Sequence, residues 1–164
     1  MKNYLKFEFK NTIFIMILGT LLHFTYKWSN YNVFISLCSS VNESVWEHLK
    51  ILFFPSLITI IFGTICLKDE FPNYLCIKTK GLLLAMVFIV TFFYVYKGIL
   101  GFNVSLFNIG SFYVAILIEQ IYTYKSKQSL CNYKLLSLII LIILTLAFIV
   151  FTFYPPELGI FASV

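Results

Sequence analysis

Eleven consecutive residues concentrate most of the reactive chemistry of this chain: Ser40-Val41-Asn42-Glu43-Ser44-Val45-Trp46-Glu47-His48-Leu49-Lys50. Two carboxylates, an imidazole, an indole and an ammonium stand there at the head of a long apolar run. The chain has one other histidine, His23. Histidine with carboxylate is the ligand vocabulary of zinc and similar divalent metals. It is equally that of general acid–base catalysis and proton relay. His23, Glu47 and His48 form the candidate metal set. The wider candidate binding set is His23, Glu43, Trp46, Glu47, His48 and Lys50, with Lys50, Trp46 and either Tyr154 or Glu157 at its rim. The spacing is no fixed metal signature, since neither H-E-x-x-H nor H-x-x-E-H occurs.

Part of the stretch has a local structural reading. Ser40 followed by Glu43 has the form of a capping box, with Asn42 as an alternative cap. Glu43 and Glu47 suit the positive end of a helix dipole, and Glu43, Glu47 and Lys50 form an i, i+4, i+7 stripe that can pair internally. Glu47 and His48 lie deeper, where an ionisable group costs about 2.5–3.5 kcal/mol at a helix centre and less near the ends. Such groups are expected to face the bundle interior. On an ideal helix they stand about 100° apart, so both turn inward only within a wide polar sector.

The elements that must position these groups are transmembrane helices. Apolar residues make up 60% of the 164 and charged residues 12%, against about 45–50% and about 25% in soluble domains. So few charges cannot cover a soluble surface without large apolar patches. A spanning helix needs roughly 20 mostly apolar residues. Five segments qualify, at about residues 12–28, 45–67, 81–96, 104–124 and 135–154. The expected fold is therefore all-α: a bundle of five transmembrane helices in a single domain over residues 1–164. His23 lies one turn from the end of the first span and His48 near the start of the second, so antiparallel packing brings both to similar depth.

Lysine, the only strongly basic residue type present, sets the orientation. Nine lysines (2, 6, 10, 68, 78, 80, 125, 127 and 134) fall on one side of the spans and three (27, 50 and 97) on the other. Positively charged loops stay in the cytoplasm, which places the N-terminus inside, the C-terminus outside and the histidines in the outer leaflet. The lysines sit in short links and not on a clustered basic face, which argues against nucleic acid as a partner and leaves membrane lipid. The Lys, Asn, Ile, Phe and Tyr bias suggests an AT-rich bacterial genome, hence a bacterial cell membrane. The first apolar run lacks a small-x-small cleavage site and reads as a retained span.

Four cysteines show no C-x-x-C pair. With Cys38 outside and Cys66, Cys76 and Cys131 near the cytoplasmic side, unpaired thiols are expected. Glu119-Gln120, close to Lys125 and Lys127, reads as a snorkelling, lysine-paired carboxylate, with a proton-coupling residue as the alternative. Tyr154-Pro155-Pro156-Glu157 ends the last helix, either as a rigid exit or as a segment folding back over the Glu47/His48 region. Asn103, Asn108, Gly110 and Ser111 read as helix-packing contacts, with a polar lining as the alternative. Walker, Rossmann and G-x-S-x-G motifs are absent, and the chain lacks the arginine fork common in phosphate enzymes.

The block N-E-S-V-W-E-H-L-K at 42–50 with Phe53-Phe54-Pro55 resembles an uncharacterised family of small integral membrane proteins of Firmicutes. His23-Phe24, Tyr26-x-Trp28 and Phe151-Thr152-Phe153-Tyr154-Pro155-Pro156 extend the resemblance over most of the chain. It implies the membrane fold and marks the same block, without naming a reaction. Three functions stay open: binding or transport of a small polar solute, cation or lipid head group; an intramembrane metal- or His/Glu-dependent enzyme acting on a lipid or envelope precursor; and a structural or accessory subunit.

Overall fold

A computed structural model describes residues 2–163. In chain order it comprises α1 (Lys2–Trp28), the single-turn α2 (Val33–Ser36), α3 (Val45–Cys66), α4 (Tyr74–Leu100), α5 (Ser105–Lys125), α6 (Lys134–Phe153) and a short 3₁₀ turn, Gly159–Phe161. Among the described residues the one extended pairing is an isolated bridge between Ser44 and Ser163. Four helices, α3 to α6, are long and apolar enough to cross a membrane. The 27-residue α1 has the length, but Lys2, Lys6, Glu8 and Lys10 dilute its apolar character.

α3 is the central element, packed against α1, α4, α5 and α6. Leu52, Phe53 and Ile60 on α3, Ile15 on α1, Leu82 and Ala85 on α4, and Ile116 on α5 are shut away between the helices. The outer faces are also apolar: Ile139, Ile142, Ile143 and Leu146 of α6 point outward. Apolar groups inside and outside alike is the pattern of a bundle whose surroundings are lipid. Small residues let backbones approach. A Cβ at Gly81 of α4 would stand 3.0 Å from the Glu119 carbonyl oxygen of α5, and such small-residue contacts take the place of the missing hydrophobic drive between helices in lipid.

α4 begins at Tyr74, well ahead of the apolar run that starts at Gly81, because Tyr74 and Lys78 are themselves buried. It ends at Gly101, whose φ of +79° is the left-handed cap conformation that glycine takes without penalty. The expectation of unpaired cysteines is corrected here. The start of α4 and the segment before α6 fold together, so that Cys76 and Cys131 are joined in a disulfide with Cα atoms 6.2 Å apart, within normal bridging reach. Cys38 and Cys66 are free.

Residues 29–44 fold back onto the end of α1. The Ser39 hydroxyl donates to the Leu22 carbonyl and accepts from Tyr26 N (2.9 Å) and the Thr25 hydroxyl (3.0 Å), and Ser40 N donates to the Leu22 carbonyl at 3.2 Å. The Ser39 hydroxyl thereby stands between Tyr26 N and the Leu22 carbonyl, inserted into one step of the α1 ladder. These bonds also fix the path of the chain as it enters α3.

Candidate functional site

The cap at the head of α3 is neither Ser40 nor Asn42. Ser44 is the N-cap, its hydroxyl accepting from Glu47 N at 3.3 Å. Asn42 Oδ1 accepts from Ser44 N at 2.9 Å, and the Ser40 hydroxyl donates to the Asn42 carbonyl at 2.7 Å. Ser44 and Glu47 thus hold the S-x-x-E spacing, but Glu47 does not reach back to the cap. Glu47 Oε2 instead accepts from Val41 N (3.0 Å) and pairs with Lys50 Nζ at 2.6 Å.

This choice frees Glu43, which stays in the loop and turns toward the histidines. Its carboxylate oxygens lie 3.7 Å from His23 Nε2 and 3.7 Å from His48 Nε2. The two rings are 5.6 Å apart between centroids. One atom from each of His23, Glu43 and His48 falls within 4.8 Å of the others. A tetrahedral zinc ion, with ligands at about 2.0–2.1 Å, holds those ligands roughly 3.3 Å apart, so a small contraction would close this set on an ion.

The tautomer of His48 follows from its second nitrogen. Nδ1 lies 2.8 Å from the Ser44 carbonyl oxygen, which can only accept, so Nδ1 carries a proton and Nε2 is the nitrogen turned toward Glu43 and His23. A backbone carbonyl holding one imidazole nitrogen while the other faces outward is the usual support of a metal-ligating histidine. Nδ1 of His23 is buried without a hydrogen-bond partner. Glu43 is about half exposed (48%), so the third member of the set is the one open to approach.

The three residues line one wall of a cavity of about 380 Å³ between α1, α3 and α5. Asn103, Ser105 and Asn108 add polar groups to its lining, and Ile51, Ile109 and Phe112 add apolar ones. Tyr96 donates to Asn103 Oδ1 (2.7 Å) and contacts Asn108 Oδ1, while Asn108 Nδ2 donates to Asn103 Oδ1 at 2.9 Å. The asparagines read as packing contacts are therefore also a polar wall. Thr20 and Tyr113, hydrogen-bonded at 3.0 Å, lie on the same cavity. A few polar groups converging on an apolar-walled cleft is the general form of a small-molecule site. The chain belongs to DUF6512, a family of unknown function. The DUF6512 profile matches residues 1–164. No curated protein and no solved structure matches the chain.

The remaining sequence candidates lie elsewhere. Glu47 points away from His48, as their angular separation on the helix allows, and so stands apart from the metal set. Lys50 is not at a rim: it is fully buried, bonded to Glu47, the Ser36 carbonyl (2.8 Å) and the Thr152 hydroxyl (2.9 Å). Burial pushes the nearby Cys38 thiol up from its ordinary pKa, with the Lys50 charge opposing. Trp46 packs on Phe148 (4.6 Å between ring centroids) and Phe161 (4.9 Å). Tyr154 and Glu157 are exposed. The segment after the two prolines does fold back, but over Trp46 and Ser44 and not over the cavity.

A second polar cluster lies in the other half of the bundle, and it corrects the reading of Glu119. This residue does not snorkel toward Lys125 and Lys127. It is fully buried, 3.3 Å from Lys78 Nζ, and accepts from the Ser56 hydroxyl at 2.9 Å. Glu8 of α1 completes the group.

Proposed function

We propose that this is a five-span membrane protein that binds a divalent transition-metal ion on His23, Glu43 and His48. Through that ion it would bind a small polar solute or the head group of a membrane lipid in the adjoining cavity. The observation that carries the reading is the convergence of two imidazole nitrogens and a carboxylate on one point of the cavity wall, one imidazole being fixed by the Ser44 carbonyl. Three protein ligands leave a fourth position free for an oxygen of the bound molecule.

The packing of α1 against α3 and α5 along its length supports counting it as the fifth span. The lysine distribution supports an inward N-terminus. With Lys78 and Lys50 withdrawn into the bundle, eight lysines remain on the inner side and two on the outer. The cavity then opens in the outer leaflet of a bacterial membrane. A second reading, metal-activated hydrolysis of a lipid or envelope precursor, draws on the same open position, since a metal that polarises a bound water is a nucleophile generator.

Calorimetric titration of zinc into the detergent-purified protein tests the binding reading. One ion per chain is expected. Loss of supporting groups around metal ligands typically costs about 10–100-fold in affinity, and His23→Ala or Glu43→Gln, which remove ligands themselves, should lose at least that much. Zinc binding unaffected by both substitutions, or none in the wild type, would refute it and leave the block as a capped, well-tied helix entry.

A further inference from the structure

The inner polar cluster joins four helices and does not balance its charge. Glu8 on α1, Lys78 on α4 and Glu119 on α5 are all buried, Lys78 and Glu119 completely. That is two carboxylates for one ammonium. Among the described residues the other ionisable groups beside the cluster are tyrosines: Tyr74 of α4, which donates to Glu8 Oε1 at 2.8 Å, and the buried Tyr4 of α1, one turn before Glu8. α3 contributes the Ser56 hydroxyl, and α5 adds the neutral amide of Gln120. An uncompensated charge in a medium without water costs several kcal/mol even after relaxation, so a further positive charge belongs here.

The hydrogen bonds say where it sits. Glu8 has both oxygens occupied, one by the Tyr74 hydroxyl and one by Lys78 Nζ at 2.9 Å. Lys78 spends its other short bond on Gln120 Oε1 at 2.7 Å. Glu119 accepts from the neutral Ser56 hydroxyl on Oε2 at 2.9 Å, but from Lys78 it receives only the longer 3.3 Å approach, and its Oε1 has no hydrogen-bond partner although fully buried. Glu8 therefore has a donor on each oxygen, one of them charged, and Glu119 does not. The Lys78 ammonium already fills the space between the two carboxylates, so the additional cation must be the smallest one.

We infer that Glu119 holds an exchangeable proton at neutral pH, making the inner cluster a proton-binding site within the bundle. Transfer toward the surface would pass a proton from Lys78 Nζ to Glu8 Oε2 while Lys78 takes the one from Glu119. This leaves Glu119 ionised beside the ammonium and Glu8, the member nearest the surface, neutral. Release is complete only when Glu8 hands that proton to water. Such a site is independent of the outer metal set. Buried carboxylates inside transmembrane helices are the usual carriers in proton relays.

Infrared spectroscopy of the purified protein at neutral pH tests this. A protonated-carboxyl C=O band, shifted in D2O, is expected in the wild type and absent in Glu119→Gln. That variant should keep the wild-type melting temperature, because the amide mimics the neutral acid. Should Glu119→Gln fail to fold, Ser56→Ala provides the test: removing the hydroxyl at Glu119 should move the band without abolishing it. Absence of the band in the wild type, its persistence in a folded Glu119→Gln, or an unmoved band in Ser56→Ala would overturn the assignment.

Discussion

Glu47 Oε2 lies 2.6 Å from Lys50 Nζ, one turn along α3, and both side chains are closed off from the surface. The pair is further tied to Val41 N, the Ser36 carbonyl and the Thr152 hydroxyl, so it clamps the loop between α1 and α3, and α6, to the head of α3. Removing one partner strands the other charge in the interior, which costs about 3–5 kcal/mol. Glu47→Gln and Lys50→Met should each lower the melting temperature clearly. The double variant Glu47→Leu/Lys50→Met should recover much of that loss, and thermal unfolding in detergent checks both.

Tyr96 supports the polar wall of the cavity through Asn103 and Asn108. Tyr96→Phe deletes one donor at a cost of about 1 kcal/mol and leaves the metal ligands in place. A small fall in melting temperature with unchanged zinc affinity is expected from paired melting and titration experiments. A large loss of zinc affinity would mean that the asparagine wall positions the ligands.

Zinc affinity should fall as the solution is acidified. Metal-ligating imidazole must be neutral, so protons compete with the ion, and the sign is fixed: binding is strongest on the alkaline side of histidine titration and is lost below it. Titrations at about pH 7.5 and about pH 5.5 bracket the ordinary histidine range and should show weaker binding at the lower value. Affinity independent of pH over this interval would point to carboxylate ligands without histidine.

The segment after the prolines covers Trp46, whose ring lies against Phe148 and Phe161. Truncation after Glu157 exposes that indole. Tryptophan emission should shift to the red and the melting temperature fall. Trp28, already largely exposed, contributes an unchanged background.

The helices were legible because lipid demands long apolar runs, and α6 in particular carries no charge after Lys134. The meeting of His23 with His48 was legible too, since similar depth on neighbouring antiparallel helices follows from the spans. Which glutamate joins them was not. Glu43 and Glu47 differ only in which side of the cap they fall on, and Ser44, not Ser40, turned out to be that cap. The Glu8–Lys78–Glu119 cluster escaped entirely. Its members lie 70 and 41 positions apart along the chain, and each alone looks like an interfacial charge. The Cys76–Cys131 pair is of the same kind: chain folding creates it, and spacing does not announce it.

The fate of metal at the histidine cluster decides the central claim, and X-ray absorption on zinc-loaded protein reads it most directly. Two imidazole nitrogens with oxygen ligands at about 2.0–2.1 Å are expected, and the imidazole signal should shrink in His48→Ala. A sulfur shell at about 2.3 Å, which would implicate cysteine, or a protein that retains no zinc through purification and dialysis, would contradict binding at His23, Glu43 and His48.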